Sequence, residues 1–212
     1  MPVMNKTMRF FTLAVMSLCI ISCNQDEDTE SDKPIISGSA DGYGYVDMGL
    51  SVQWASCNVG ADKPYDAGDY FAWGETVTKD IFSLETYTYN GPEKLSADND
   101  VATQTMGDGW RMPTVKEIQE LMTKCEWQYT HYPKTDTYGF KVINKSNRKN
   151  YIFIPFAGYK ENGEWTNRSS AGRYLSSEST KLTPRVLSID ESGEALINAH
   201  PFLGFTVRAV HE

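Results

Sequence analysis

The first residue with a definite chemical prospect is a cysteine, Cys23, at the end of Ile20-Ile21-Ser22-Cys23. Lys6 and Arg9 precede a run of about a dozen mostly apolar residues from Phe10 to Ile21, too short to span a bilayer and the right length for an export signal. A small residue before a cysteine at that boundary reads as a lipobox, in which the thiol takes a lipid and becomes the first residue of the mature chain. The other reading is a plain secretory peptide cut near Cys23, or a retained signal anchor. Lipidation implies a membrane as the first partner and the outer membrane, probed from the cell surface, as the expected location.

Other chemistry is sparse. His131, His200 and His211 are not spaced to set two ligands on one helical turn for zinc. No Gly-x-Ser-x-Gly elbow, phosphate loop or dinucleotide fingerprint occurs, and Asp98-Asn99-Asp100 lacks the glycine and terminal glutamate of a calcium loop, so it reads as a turn. No acid, base or nucleophile constellation stands out; the reading is not an enzyme, with no catalytic residue, metal or cofactor. The formal charge of −8 becomes more negative once Lys6 and Arg9 leave with the signal, which argues against nucleic acid as a partner.

One polar stretch does offer ligand chemistry. Trp165 lies in Tyr159-Lys160-Glu161-Asn162-Gly163-Glu164-Trp165-Thr166-Asn167-Arg168, where an apolar ring has little local company. With Tyr159, Arg168, Arg173 and Tyr174 it lines a shallow groove of stacking faces and donors suited to glycans or peptides, or else it staples the loop onto a sheet. The expected ligand surface runs from Tyr159 to Ser177 and includes Asn198 to Gly204.

The elements that must position such a surface are mostly short strands. Residues 1–22 form the signal. Residues 23–40, with Asp26, Glu27, Asp28, Glu30 and Asp32 against Lys33 and few apolar groups, form a disordered acidic tether. Residues 41–212 form one domain, with Gly38 to Gly42 still linker. Thr114 and Glu117 make a capping box for a helix over about 114–126, with Val115, Ile118, Leu121, Met122 and Cys125 on one face. Gly139 to Asn144 and Asn150 to Phe156 predict one hairpin; Val186 to Ile189 and Ala195 to Ile197 predict another. Tyr43 to Met48, Ser51 to Ala55, Asp69 to Trp73 and Phe205 to Val210 complete the strands, giving an α+β class with an antiparallel sheet. Cys57 and Cys125 are the two cysteines of the folded part; they either close one disulfide across a long loop or stay as separate thiols.

Several motifs in order carry a resemblance: Tyr45-Val46-Asp47-Met48-Gly49-Leu50-Ser51-Val52-Gln53-Trp54-Ala55, Cys57-Asn58-Val59-Gly60-Ala61, Gly68-Asp69-Tyr70-Phe71-Ala72-Trp73-Gly74-Glu75, Gly109-Trp110-Arg111-Met112-Pro113-Thr114 and Gly204-Phe205-Thr206-Val207-Arg208. Together they resemble the Fibrobacter succinogenes major paralogous domain, over nearly everything after Asp41. The acidic tether is similar to those of surface-displayed lipoproteins of the Bacteroidota, where it acts as an outward export signal; the plainer alternative is a spacer facing the periplasm. The resemblance implies a C-type-lectin-like fold in the variant shared with formylglycine-generating enzymes, with paired terminal strands and an irregular second half as the exposed surface. It implies binding rather than catalysis, since no cysteine pair follows Cys125. The calcium-lectin runs Glu-Pro-Asn and Trp-Asn-Asp are also missing. Within the motifs Trp54, Trp73 and Trp110 fall to the core, and Cys57 and Cys125 fall at a strand end and on the helix face, compatible with a bridge. Leu175 replaces an aromatic before Ser176-Ser177, and Ala209 replaces a proline. The expected function is a lipid-anchored envelope protein that binds a glycan or protein ligand; the alternative is an accessory subunit of an envelope or adhesin assembly.

Overall fold

The computed structural model describes residues 35–132 and 135–212. Cys23 and the acidic tether up to residue 34 lie outside the described residues. The described chain is mainly antiparallel sheet with two short α-helices: strands β1 (Gly38–Ala40), β2 (Tyr43–Val46), β3 (Gln53–Ala55), helix α1 (Val101–Met106), β4 (Trp110–Arg111), helix α2 (Val115–Lys124), β5 (Cys125–Tyr132), β6 (Thr137–Asn144), β7 (Tyr151–Pro155), β8 (Tyr159–Glu161), β9 (Glu164–Thr166), β10 (Ala171–Thr180), β11 (Thr183–Asp190), β12 (Gly193–Asn198) and β13 (Val210–His211). Four sheets result, in the orders β1-β2-β3-β13-β4, β5-β6-β7, β8-β9 and β10-β11-β12.

Helix α2 forms where the capping box predicts it. The Thr114 hydroxyl accepts from the Glu117 N–H at 3.3 Å, and the Glu117 carboxylate accepts from the Thr114 N–H at 2.8 Å. Arg111 grips the same carboxylate through two guanidinium nitrogens at 2.7 and 2.8 Å. Burial pushes the Glu117 pKa up, but this fork and the Thr114 bonds outweigh it and hold the group below its usual range. The two predicted hairpins form as β6-β7 and β11-β12.

Three expectations are corrected. Residues Gly38 to Ala40 are strand rather than tether: they pair with Ala40 opposite Tyr43, and Asp41 and Gly42, both at positive φ, make the two-residue hairpin turn that an Asp-Gly pair favours. The opening and closing strands are not neighbours, because β3 lies between β2 and β13 and takes the hydrogen bonds of both. Asp69 to Trp73 makes a single bridge, Phe71 to Phe205, in place of a strand.

The core has two main clusters. One packs Ile118 and Leu121 of α2 against Val142, Ile152, Ile154, Leu187 and Ile189 from the central sheets. The other gathers Trp73, Met106, Trp110, Val186, Phe205 and Val207. Trp54, Trp73 and Trp110 are all buried, as the motif reading expected. The closing segment runs beside the first half: Val59 N–H donates to Val207 C=O at 3.0 Å, and Ala55 N–H to Ala209 C=O at 2.9 Å.

Arg208 locks these parts together. Only 2% exposed, it donates from Nε to Asn58 Oδ1 at 2.8 Å, from Nη1 to the carbonyls of Ala55 and Ser56 at 3.1 and 3.0 Å, and from Nη2 to Phe153 C=O at 2.8 Å. Burial lowers its pKa, and the ring of carbonyl dipoles is what makes a cation tolerable there. Cys57 sits beside this arginine, while Cys125 caps the C-terminus of α2 and pairs in register with Asn144. Both are free thiols, so the disulfide between Cys57 and Cys125 is overturned: the two side chains belong to different neighbourhoods of the fold. Burial raises the Cys125 thiol to about 11.

Candidate functional site

Asn162 and Gly163, both at positive φ, close β8 onto β9 as a tight hairpin, and the register places Lys160 directly opposite Trp165. Two contacts seat the hairpin. Lys160 and Gly204 exchange backbone hydrogen bonds at 2.8 and 2.9 Å, and Asn162 N–H donates to Phe82 C=O at 2.9 Å. Phe82, fully buried with Tyr70, Ala72 and Ala157, anchors the facing loop.

Trp165 ends up with two roles. Its ring meets Tyr70 edge-on, centroids 4.6 Å apart, and carries Lys160 at 4.6 Å and Arg168 at 4.5 Å from its centroid. Yet 41% of the residue stays exposed. Stapling and presentation are combined: the contacts fix the ring, and the rest of it faces solvent. Among the described residues neither Lys160 nor Arg168 enters an ion pair.

The ring and Lys160 wall a pocket of about 410 Å³ whose other sides are Asp69, Tyr70, Thr78 and Asp80. Tyr70 is its buried floor; the hydroxyl donates to Ala157 C=O, and burial drives its pKa well above the usual phenol range. Gly68, also in the lining, has φ +71, and a Cβ there would meet Val59 C=O at 2.3 Å, so only glycine lets the chain turn so close to Asn58 and Val59. The carbonyl just before it, Ala67 C=O, accepts from Asn58 Nδ2 at 2.9 Å, the same side chain that receives Arg208.

Of the five expected ligand residues, the structure brings Trp165 and Arg168 together and separates the others. Tyr174 is corrected outright: it is 2% exposed, its hydroxyl donates to Pro155 C=O at 2.6 Å, and burial raises it to about 12. It faces inward, packed in the core cluster with Phe156, Leu187 and Ile189. Arg173 is half-buried on β10, held by the Ser188 hydroxyl and Gly172 C=O, and Tyr159 packs on Phe205. None of these three lines the pocket.

Asp69, Tyr70, Thr78 and Asp80 lie outside the expected ligand surface, and Lys160, inside its Tyr159 to Ser177 stretch, was not singled out. The first two sat within a motif assigned to a strand. Lys160 was within reach of the sequence, since an Asn-Gly turn fixes which residues face each other across it. Thr78 and Asp80 were not, because nothing local brings that loop to the hairpin.

Among the described residues no group of three His, Cys, Asp or Glu side chains is placed to hold a metal ion. The chain matches no protein-family model, no curated protein and no solved structure.

Proposed function

We propose that this chain is a lipid-anchored binding protein of the cell envelope, tethered through Cys23 at the outer membrane and surface-displayed. Its C-type-lectin-like domain, of the kind the Fibrobacter succinogenes major paralogous domain resemblance implies, offers a glycan or protein ligand the pocket beside Trp165. The observation that carries this reading is the ring itself: held by Tyr70, Lys160 and Arg168, it keeps 41% of its surface open at the mouth of a pocket. Pre-fixed aromatic walls with a few polar groups are the common form of ligand sites.

Two experiments test the two halves. Labelling cells with an alkyne fatty acid should tag the wild type and leave Cys23→Ala untagged; equal labelling of both contradicts the anchor. A photoreactive phenylalanine analogue in place of Thr78, which lines the pocket and leaves the Trp165 ring intact, should cross-link a partner on intact cells that the same probe at the exposed Tyr129 does not; identical patterns contradict the site.

A second reading, an accessory subunit of an envelope assembly, draws support from Val77, Ile81 and Leu84, which are 74%, 52% and 66% exposed on the loop facing the hairpin. Exposed apolar side chains in one short loop are the form a protein contact takes. Under that reading the cross-linked partner is a protein bound with fixed stoichiometry.

A further inference from the structure

The pocket beside Trp165 does not end at its own rim. Thr78 and Lys79 also line a second, larger pocket of about 590 Å³ formed by the loop from Gly74 to Gly91. The two therefore meet at Thr78 and Lys79, and a ligand longer than the first pocket would follow them as one groove. Gly74, at φ +79, permits it: a Cβ there would meet the Tyr89 ring at 2.5 Å.

The chemistry along this groove is uneven in charge but rich in hydrogen-bonding groups. In the first pocket Asp69 and Asp80 oppose an anionic ligand and Lys160 opposes a cationic one. Lys79 is neutralised by Glu75, its partner at 2.5 Å, and also donates to Thr86 C=O. The second pocket adds Thr76 and Asn90 with no further charge beyond that pair, while its Thr86 and Thr88 hydroxyls donate to Ile81 C=O and Glu75 and its Asn99 amide to Gly74 C=O. Carboxylates that accept, an ammonium that donates, threonine hydroxyls with methyl groups beside them, and a tryptophan wall match a ligand made of neutral hydroxyl groups on apolar rings. Resting on the proposed binding role of the Trp165 pocket, we infer that the groove takes a neutral, linear oligosaccharide, with one unit against Trp165 and Lys160 and following units past Lys79 toward Asn90.

The test uses the full-length lipidated protein in detergent, titrated with neutral linear gluco-, manno- and galacto-oligosaccharides of one to six units and with oligogalacturonides of the same lengths. One neutral series should gain at least tenfold in affinity between one and four units. Trp165→Ala should weaken every length of that series at least tenfold, whereas Asn90→Ala should reduce the longer members to the affinity of the short ones. Tighter binding of the oligogalacturonides would overturn the inference. So would affinity that is independent of length and unmoved by Asn90→Ala, a result that leaves the Trp165 pocket standing as a single-unit site. If no neutral member binds, the inference is overturned, and cross-linking from position 78 decides separately whether the pocket binds anything else.

Discussion

Arg208 and Lys160 are both cations, and they are treated in opposite ways. Around Arg208 four acceptors in the first half and on β7 take up its guanidinium, and the residue is sealed from solvent. Around Lys160 the ammonium rests on Trp165 and Tyr70 without an ion pair among the described residues, and two carboxylates beside it face the pocket. Polar groups fully spent on one another hold a fold together; polar groups left facing outward on a fixed scaffold are available to something else. The comparison separates the part of the molecule that is architecture from the part left open to solvent at the pocket.

The strongest way to break it is to remove the architectural cation. Arg208→Ala leaves three backbone carbonyls and an amide oxygen buried without a donor, and should cost about 3–5 kcal/mol of unfolding free energy in urea. Arg208→Lys should recover little, because one ammonium cannot serve the fork geometry of four acceptors. A loss under about 1 kcal/mol would show that the cluster is not what closes the domain. Asp100 comes next. Its buried carboxylate caps α1 through the Ala102 and Thr103 N–H groups and accepts twice from Met112 N–H, at 3.0 and 2.8 Å. Asp100→Ala should cost about 2 kcal/mol, read from the same denaturation curves.

A smaller effect appears with pH. The Lys124 ammonium, then the Ser51 hydroxyl and N–H, lower Glu120 from 4.5 to about 2. A carboxylate with a lowered folded pKa stabilises above its unfolded value, and the contribution is lost as pH falls from about 4.5 toward 2. Glu120→Gln should therefore flatten the acid limb of the stability curve over that window; an unchanged slope would assign the acid sensitivity elsewhere. The smallest expected effect is none: with Cys57 and Cys125 free, melting with and without reductant should coincide, and a reductant-dependent drop would restore the bridge.

The sequence made the architectural half far more legible than the recognising half. The α2 capping box and the β6-β7 and β11-β12 hairpins rest on local spacing, the three core tryptophans on the motifs that hold them beside apolar neighbours, and all appear. Helix α1 was missed because six residues carry too little periodicity, and its cap, Asp100, looked like part of a turn. Strand β5 did carry a signal: Cys125, Trp127 and Tyr129 alternate with Glu126, Gln128 and Thr130, a period of two that follows directly on a helix. Tyr174 was misread because polar neighbours suggested a surface loop, whereas β10 is buried from both faces. The pocket depends on contacts between the loop near Asp80 and the hairpin near Gly163, and no local pattern encodes which loops will meet.

The most direct test of the division between the two regions is Trp165→Ala, measured at once for unfolding free energy and for cross-linking from position 78 or oligosaccharide binding. The ring makes one edge contact with Tyr70 and two exposed cation–π contacts and is 41% exposed, so the predicted result is a loss of about 1–2 kcal/mol in stability with binding weakened at least tenfold. A loss of about 3 kcal/mol or more with binding intact would make Trp165 a staple and contradict the account.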